Sequence, residues 1–224
     1  MKKKRLKNIA ILPARIGSKR IKKKNIKNFL NKPMIYWTLM NLKKTKLFDK
    51  IYVSTDSNEI VNKLKKFGFL DFISRGKRLS NDSTGINLVM IDAIKKISHT
   101  HLLDNVCCVF PCNPFLRKKE LKKSLDILKK NNNAFIFPVV KYSHPIERAY
   151  YFLNGKFIRR ITKIKNNERT QDFKSKYFDS GSFYFANKKT WLSNKRNKII
   201  GIKTNWWSAI DIDTPEDWKK AEIL

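Results

Sequence analysis

Two aspartates separated by one residue, Asp211 and Asp213, stand near the C-terminus of the 224-residue chain. Side chains alternate along an extended segment, so both carboxylates are expected on the same side. Two neighbouring carboxylates offer the hard oxygen ligands that Mg²⁺ binds together with phosphate oxygens and water. We therefore predict a Mg²⁺ site beside a phosphorylated substrate, in which either aspartate could also act as a general base. The alternative is that Asp213 only caps the helix that follows.

A basic loop directly follows the first apolar run of the chain, residues 8–12. Gly17 permits a sharp turn whose backbone N–H groups can face an anion. Neither the Walker A pattern nor Gly-x-Gly-x-x-Gly occurs, so a dinucleotide fold is disfavoured. The loop predicts a phosphate-binding site of another kind, and the alternative is a solvated basic loop. Its candidate binding residues are Pro13, Ala14, Arg15, Gly17, Ser18, Lys19, Lys24 and Asn25.

Short apolar runs alternate with amphipathic stretches along most of the chain, which predicts an α/β fold with a parallel sheet covered by helices. Loops at the carboxyl ends of such strands bind ligands, which is where the basic loop is placed. The expected strands are residues 8–12, 50–54, 71–74, 105–110, 134–140 and 182–186. The expected helices are 32–46, 58–67, 87–97 and 119–130, with a last helix capped by Thr214.

The formal charge of +32 at pH 7 is the strongest compositional feature. Such a charge suggests a polyanionic partner. The excess is mostly lysine, scattered from end to end and accompanied by abundant Asn, Ile and Phe, which favours codon bias in an A/T-rich genome. We predict no nucleic-acid partner, and we expect the field to attract anionic substrates.

Three cysteines, Cys107, Cys108 and Cys112, lack the spacing of a zinc site, and we expect reduced core cysteines. The apolar run after the basic N-terminus is too short for a signal peptide, and no run of 18 apolar residues occurs. These features favour a cytoplasmic protein without a membrane partner.

Six motifs follow one another along nearly the whole chain: Leu12-Pro-Ala-Arg-x-Gly-Ser-Lys-Arg-x-x-x-Lys-Asn25, Asn31-Lys-Pro-Met-Ile, Val53-Ser-Thr-Asp56, and residues 75–84, 111–117 and 211–214. Together they resemble the acylneuraminate cytidylyltransferases, the CMP-sialic acid synthetases. The departure within the first motif is Ile16, where Gly is common.

This resemblance implies a single nucleotidyltransferase domain over residues 1–224, with a Rossmann-like three-layer α/β/α fold, a mainly parallel sheet and a small substrate and dimerisation arm at about 141–180. It implies transfer of CMP from CTP to an acidic nine-carbon sugar, with release of pyrophosphate, Mg²⁺ as cofactor and a homodimer. Catalytic roles fall on Arg15, Lys24, Asp211 and Asp213. Arg75, Ser80 and Asn81 join the nucleotide contacts, with Arg75 donating to cytosine. Asp56 is expected to cap the helix at 58–67.

The late segments, residues 142–148 and 169–184, are most similar to the pseudaminate subgroup of this family. Sialate enzymes tend to have Arg-Pro-Asn-Gly where this chain has Phe178-Asp-Ser-Gly181, and an acidic residue there alters which substituents are accepted. The implied sugar contacts are Asn113, Arg169, Gln171, Asp179, Ser180 and Gly181, with Arg169 pairing with the sugar carboxylate.

Three alternatives stay open from the sequence. The first is the same transfer to N-acetylneuraminate, legionaminate or Kdo. The second is a basic nucleic-acid-binding protein, whose affinity would fall steeply with salt. The third is a catalytically inactive homologue, which the presence of Arg15, Lys24, Asp211 and Asp213 disfavours.

Overall fold

The computed structural model describes residues 3–162, 169–193, 196–208 and 210–224. The strands in these ranges are β1 (Lys4–Pro13), β2 (Asn28–Phe29), β3 (Lys32–Pro33), β4 (Lys50–Thr55), β5 (Phe72–Ser74), β6 (His101–Val109), β7 (Ala134–Lys141), β8 (Tyr150–Leu153), β9 (Phe157–Arg160), β10 (Tyr177–Asp179), β11 (Phe183–Asn187) and β12 (Lys198–Thr204). The α-helices are α1 (Met34–Thr45), α2 (Asn58–Lys65), α3 (Ile86–Ser98), α4 (Lys118–Lys130), α5 (Lys188–Leu192) and α6 (Pro215–Ile223).

The central sheet has the strand order β10-β7-β11-β6-β1-β4-β5, and β12 also pairs with β7. Strand β1 lies in the middle and pairs in parallel with both β4 and β6. The pairs β4–β5 and β12–β7 are parallel as well, whereas β10 and β11 run antiparallel to their neighbours. The predicted fold class, a mainly parallel sheet with helices, is confirmed.

Helices cover both faces of the sheet. Ala10 and Leu12 of β1 belong to a hydrophobic cluster with residues of α1, α2 and α4, while Ile9 and Ile11 belong to a second cluster with residues of α3 and α5. Alternate side chains of this strand thus enter opposite layers, and all four are fully buried. Each buried Ile or Leu stabilises the fold by about 1.5–3 kcal/mol, which fixes the register of the strand that carries the basic loop.

The structure refines several sequence predictions. The helix expected at 32–46 begins only at Met34, because Lys32–Pro33 pairs with Asn28–Phe29 in a two-stranded sheet. The stretch expected to be irregular contains the antiparallel hairpin β8–β9, while residues 163–168 of the predicted arm lie outside the described residues. Within the described ranges, none of the helices has the length and apolar character needed to cross a membrane.

Cys107 and Cys108 lie in the core of β6, as predicted, and burial raises the pKa of both thiols. Cys112 follows β6 and differs from them, because its Sγ donates to Asn25 Oδ1 at 3.2 Å. Burial raises the pKa of Cys112 to about 12, so this thiol stays protonated and serves as a hydrogen-bond donor rather than as a nucleophile.

Candidate functional site

Two adjoining cavities open where β1, β5 and β6 reach their carboxyl ends. The larger, of about 640 Å³, is lined by five cationic side chains and is called the basic cavity. The smaller, of about 450 Å³, is lined by three aspartates and is called the acidic cavity. Five residues line both cavities and mark their junction, namely Lys24, Asn25, Phe110, Pro111 and Asp213. The cations of the basic cavity are Arg15, Lys19, Arg20, Lys24 and Arg75. The aspartates of the acidic cavity are Asp179, Asp211 and Asp213.

The basic loop is held in shape by its own backbone and by one buried amide. The Ala14 N–H donates to Ser54 O at 2.9 Å, which extends the pairing of β1 with β4. Asn25 is 5% exposed, and its side-chain amide donates to Arg15 O at 2.7 Å. The amide of Asn25 therefore links the two ends of the loop and fixes the backbone from which the side chains of Arg15 and Lys24 extend.

Lys24 and Asp213 form the central ion pair of the junction. Lys24 Nζ lies 2.7 Å from Asp213 Oδ1 and donates at the same distance to Ile212 O. Arg20 also pairs with Asp213. Burial alone would raise the pKa of Asp213, but the hydrogen bond and charge of Lys24, with Arg20, lower it overall, so this carboxylate is ionised.

Asp213 does not cap the last helix. Thr214 is the N-cap of α6, its side chain accepts from Asp217 N–H, and the Asp217 carboxylate accepts from Thr214 N–H in a capping box. The capping alternative is therefore wrong, and the predicted Thr214 cap is confirmed. Helix α6 thereby anchors the segment that carries both aspartates.

Asp211 has the opposite electrostatic environment. Ile212 is fully buried between the two aspartates, and both carboxylates line the acidic cavity, as alternation predicts. Asp211 is exposed to the cavity, but neighbouring protein groups replace part of the water around its carboxylate, and this desolvation together with the charge of Asp213 raises the pKa of Asp211. A carboxylate that is held against a like charge gains most from a bound cation.

The carboxylates of Asp211 and Asp213 fit a Mg²⁺ ion that is bound together with a phosphorylated ligand. Among the described residues, no group of three or more His, Cys, Asp or Glu side chains is arranged to hold a metal. Two carboxylates beside a cationic cavity match the way proteins bind Mg²⁺, with one or two carboxylates and with substrate phosphate oxygens completing the shell.

Arg75 is buried at the far side of the basic cavity, with 5% of its surface exposed. Its Nη2 lies 3.7 Å from Asp56 Oδ1, while its Nε and Nη2 have no hydrogen-bond acceptor among the described residues. Buried donors are normally satisfied, so these N–H groups indicate a ligand with acceptor atoms. The predicted cap by Asp56 is wrong, because the side chain of Ser57 accepts from Ile60 N–H at the start of α2.

Asp82 pairs with two cations of the basic cavity, Arg15 and Lys19. The hydrogen bonds from Lys19 and Arg15 lower the pKa of Asp82, so it is ionised. An incoming polyphosphate must compete with this carboxylate for the same two cations.

We predict that Asp82→Asn strengthens the binding of inorganic triphosphate by about threefold, the size of an exposed ion pair. Isothermal titration calorimetry checks this, with Glu59→Gln as the control because Glu59 pairs with Lys23 outside both cavities. Weaker binding by Asp82→Asn would contradict the prediction and would mean that Asp82 holds Arg15 in its binding position.

Besides the aspartate segment, the walls of the acidic cavity come from the segment after β6 and from β10, β11 and the turn between them. Asn113 is buried and donates to Ser182 Oγ, while its backbone N–H donates to Thr38 Oγ1 at 3.0 Å. Gly181 has φ +62°, and a Cβ added there would lie 3.8 Å from Asp211 Oδ2. The turn between β10 and β11 therefore passes close to the aspartate pair.

The structure brings together most of the predicted site residues. The predicted nucleotide contacts that line the basic cavity are Pro13, Arg15, Ser18, Lys19, Lys24, Asn25, Arg75 and Asn81. The predicted sugar contacts that line the acidic cavity are Asn113, Asp179, Ser180 and Gly181.

Five predicted residues lie outside the cavity walls. Ala14 and Gly17 lie within the basic loop, where Gly17 does not adopt a positive φ, and Ser80 donates to Gly76 O at 3.2 Å. Arg169 and Gln171 lie exposed in the arm, where Arg169 pairs with Asp172.

Sequence reasoning missed other lining residues, among them Arg20, Asp82 and Tyr184. Arg20 belongs to the basic loop, so its charge and position could have identified it as a binding residue. Tyr184 alternates with buried Phe183 and Phe185 on β11, which indicates the opposite face of the sheet but not a cavity.

Nearly the whole chain is similar to known proteins. A family model described as Cytidylyltransferase matches residues 9–224. The pseudaminic acid cytidylyltransferase of Campylobacter jejuni is 33% identical over 225 residues, which cover 98% of this chain and 96% of the relative. A Helicobacter pylori protein, named as a pseudaminic acid cytidylyltransferase and UDP-2,4-diacetamido-2,4,6-trideoxy-beta-L-altropyranose hydrolase, is 35% identical over 80% of this chain and 34% of its own length.

A solved structure of CMP:2-keto-3-deoxy-manno-octonic acid synthetase complexed with CTP has the same fold, with a TM-score of 0.73. It shares 15% identity and covers 97% of both chains, so it is evidence for the fold alone.

Proposed function

The chain belongs to the cytidylyltransferase family, and from this premise we propose that it transfers CMP from CTP to a nonulosonic acid, with pseudaminic acid as the substrate. The observation that carries the proposal is the pair of adjoining cavities with Lys24 and Asp213 at their junction. A cationic cavity suits a triphosphate, and the adjoining cavity offers a place for the accepting sugar. Pseudaminic acid is chosen because the Campylobacter jejuni relative, which matches nearly the full length of the chain, is named for it.

The basic cavity binds CTP in this proposal. Arg15, Lys19 and Lys24 offset the charge of the triphosphate, and Asn25 keeps the loop in place. The unpaired N–H groups of Arg75 donate to O2 and N3 of cytosine, both of which accept hydrogen bonds.

The acidic cavity holds the sugar so that its anomeric hydroxyl attacks the α-phosphorus of CTP in line, and pyrophosphate leaves. The reaction needs positioning and charge compensation more than covalent catalysis. Asp211 lies beside the cavity with a raised pKa, which suits it to accept the proton of the attacking hydroxyl.

Mg²⁺ is the proposed cofactor, and Asp211 and Asp213 would hold it. The ion would neutralise charge on the leaving pyrophosphate. Lys24 would keep Asp213 ionised and oriented for that role.

Pyrophosphate release from purified protein with CTP and Mg²⁺ tests the proposal. The sugars compared are pseudaminate, N,N′-diacetyllegionaminate, N-acetylneuraminate and Kdo. We expect release with pseudaminate. Release only with another acid would contradict the choice of sugar and keep the transfer reaction. No release with any of the four would contradict the transfer reaction itself.

The chain is further proposed to work in the cytoplasm as one domain that forms a homodimer through its arm. The support for a dimer is an exposed apolar patch on the hairpin β8–β9. Phe152 and Phe157 are 72% and 65% exposed, and Tyr151 and Ile158 are exposed beside them. Apolar surface of this kind favours association. In such a dimer we expect the arm to bring Arg169 and Gln171 to the neighbouring acidic cavity.

We predict that Phe152→Lys converts the dimer to a monomer, because a charge in a buried apolar interface is unfavourable. Sedimentation velocity measures the mass, and Leu70→Lys is the control, since Leu70 is 75% exposed outside the hairpin. A dimer that persists in Phe152→Lys would place the interface elsewhere.

A further inference from the structure

Tyr184 forms part of the wall of the acidic cavity and is fixed there by other aromatic rings. It lies on β11, paired with Cys108 of β6. Its ring centroid lies 5.5 Å from those of Phe110 and Phe135 and 5.7 Å from that of Phe137. Three ring contacts of this kind restrict the tyrosine to one orientation. The hydroxyl therefore has a defined position at the cavity wall.

The hydroxyl of Tyr184 holds the carboxylate of Asp179. Tyr184 Oη donates to Asp179 Oδ2 at 2.6 Å, and Gly181 N–H donates to Asp179 Oδ1 at 2.9 Å. The backbone of Asp179 is in turn paired with Val139 at the edge of the sheet. Both carboxylate oxygens are thus fixed, although the side chain itself is exposed to the cavity.

A carboxylate has about four lone-pair positions, and the two hydrogen bonds occupy only two of them. Because Asp179 lines the cavity, the remaining positions can accept N–H or O–H groups from a ligand. The same charge repels an anion, so a bound acidic sugar must turn its own carboxylate away from Asp179. The oriented carboxylate thereby distinguishes the two ends of the sugar.

We propose that Tyr184 is a positioning residue that acts through Asp179 to select the nonulosonic acid, favouring one that presents an acylamino N–H to this carboxylate. The inference rests on the proposed function. Neither Tyr184 nor Asp179 contacts the triphosphate side of the site, since neither lines the basic cavity. Selection of the sugar is therefore separable from binding of CTP.

The tyrosine serves as a donor at every working pH. Burial and the hydrogen bond to Asp179 raise the pKa of Tyr184 well above its usual range. Its hydroxyl therefore remains protonated and keeps donating to Asp179, and the proposed selection should not change with pH through this group.

The test compares Tyr184→Phe with the wild-type enzyme in steady-state pyrophosphate release and in calorimetric titration of pseudaminate. Phenylalanine keeps the ring contacts and removes only the hydroxyl. We expect KM and Kd for pseudaminate to rise about tenfold, the effect of losing one hydrogen bond to a charged group, while KM for CTP stays within about twofold. The preference for pseudaminate over Kdo, which carries no acylamino group, should fall by a similar factor. Tyr52→Phe is the control, because Tyr52 packs in the same hydrophobic layer but lines neither cavity.

A double variant shows whether Tyr184 acts through Asp179. If it does, Tyr184→Phe adds nothing to the effect of Asp179→Asn, whereas independent roles give additive effects. Unchanged pseudaminate binding in Tyr184→Phe, an additive double variant, or an equal loss for CTP and sugar would each overturn the inference. Wild-type protein that binds pseudaminate without turnover would contradict the proposed transfer alone, and the binding comparison would still decide the role of Tyr184. Wild-type protein that does not bind pseudaminate at all would overturn the inference as well.

Discussion

Replacing Asp211 by asparagine is expected to lower kcat for pyrophosphate release by about a thousandfold, which is typical for loss of a group that stabilises the charge of a transition state. The protein should remain folded. Asp211 forms no hydrogen bond or ion pair with another described residue, and its ionisation is opposed by partial desolvation of the carboxylate and by the charge of Asp213. Removing this charge relieves a repulsion, so the thermal midpoint of Asp211→Asn should equal or exceed that of the wild type.

Both quantities must be measured on the same preparation, kcat by coupled pyrophosphate release and the thermal midpoint by circular dichroism. Glu216→Gln is a suitable control, because Glu216 is an exposed acid in the first turn of α6 and lines neither cavity. Near-normal turnover in a folded Asp211→Asn variant would contradict both the metal assignment and the role of this carboxylate as a base.

The sequence was informative where a local rule decides the outcome. Alternation placed Asp211 and Asp213 on one side of buried Ile212, and the sequence Thr214-Pro215-Glu216-Asp217 predicted the cap of α6. Apolar β1 is buried on both faces, which a continuous run such as Ile9–Leu12 predicts for a central parallel strand.

Pairings between distant residues were beyond local rules. Lys24 and Asp213 are 189 positions apart, and Arg15 and Asp82 are 67 apart. The sequence shows that each of these residues is charged and lies in a loop, so that it can form an ion pair. Which residues form the pair is decided by the order of the strands in the sheet. For the same reason Asp56 was wrongly expected to cap α2, since the folded chain places it against Arg75. Strand β12 was not among the predicted strands, because it is largely exposed and polar at its ends and its sequence therefore has only a weak apolar pattern. It is a strand because it pairs with β7.

Replacing Arg75 by methionine should raise KM for CTP about a hundredfold, because two hydrogen bonds from a charged donor to cytosine would be lost. Discrimination against UTP should fall with it. Cytosine accepts at N3, whereas uracil carries an N–H there, and a guanidinium can only donate. A buried arginine therefore rejects uracil by leaving its own N–H groups facing another donor. A methionine side chain fills a similar volume but has no hydrogen-bond donor. The variant should therefore bind both nucleotides weakly and should no longer distinguish CTP from UTP.

The experiment measures KM and kcat for CTP and UTP with a saturating concentration of the sugar. Arg78→Met is the matched control, because Arg78 lies three residues further along, in the 3-10 turn Lys77–Leu79, is exposed, and lines neither cavity. The thermal midpoint must also be compared, since Arg75 partly neutralises Asp56 and its loss leaves that carboxylate with 19% of its side chain exposed to water. Unchanged selection of CTP over UTP in a folded Arg75→Met variant would show that the unpaired N–H groups of Arg75 do not recognise the base. The cytosine would then have to be recognised by other residues that line the basic cavity, such as Leu79, Asn81 and Thr84.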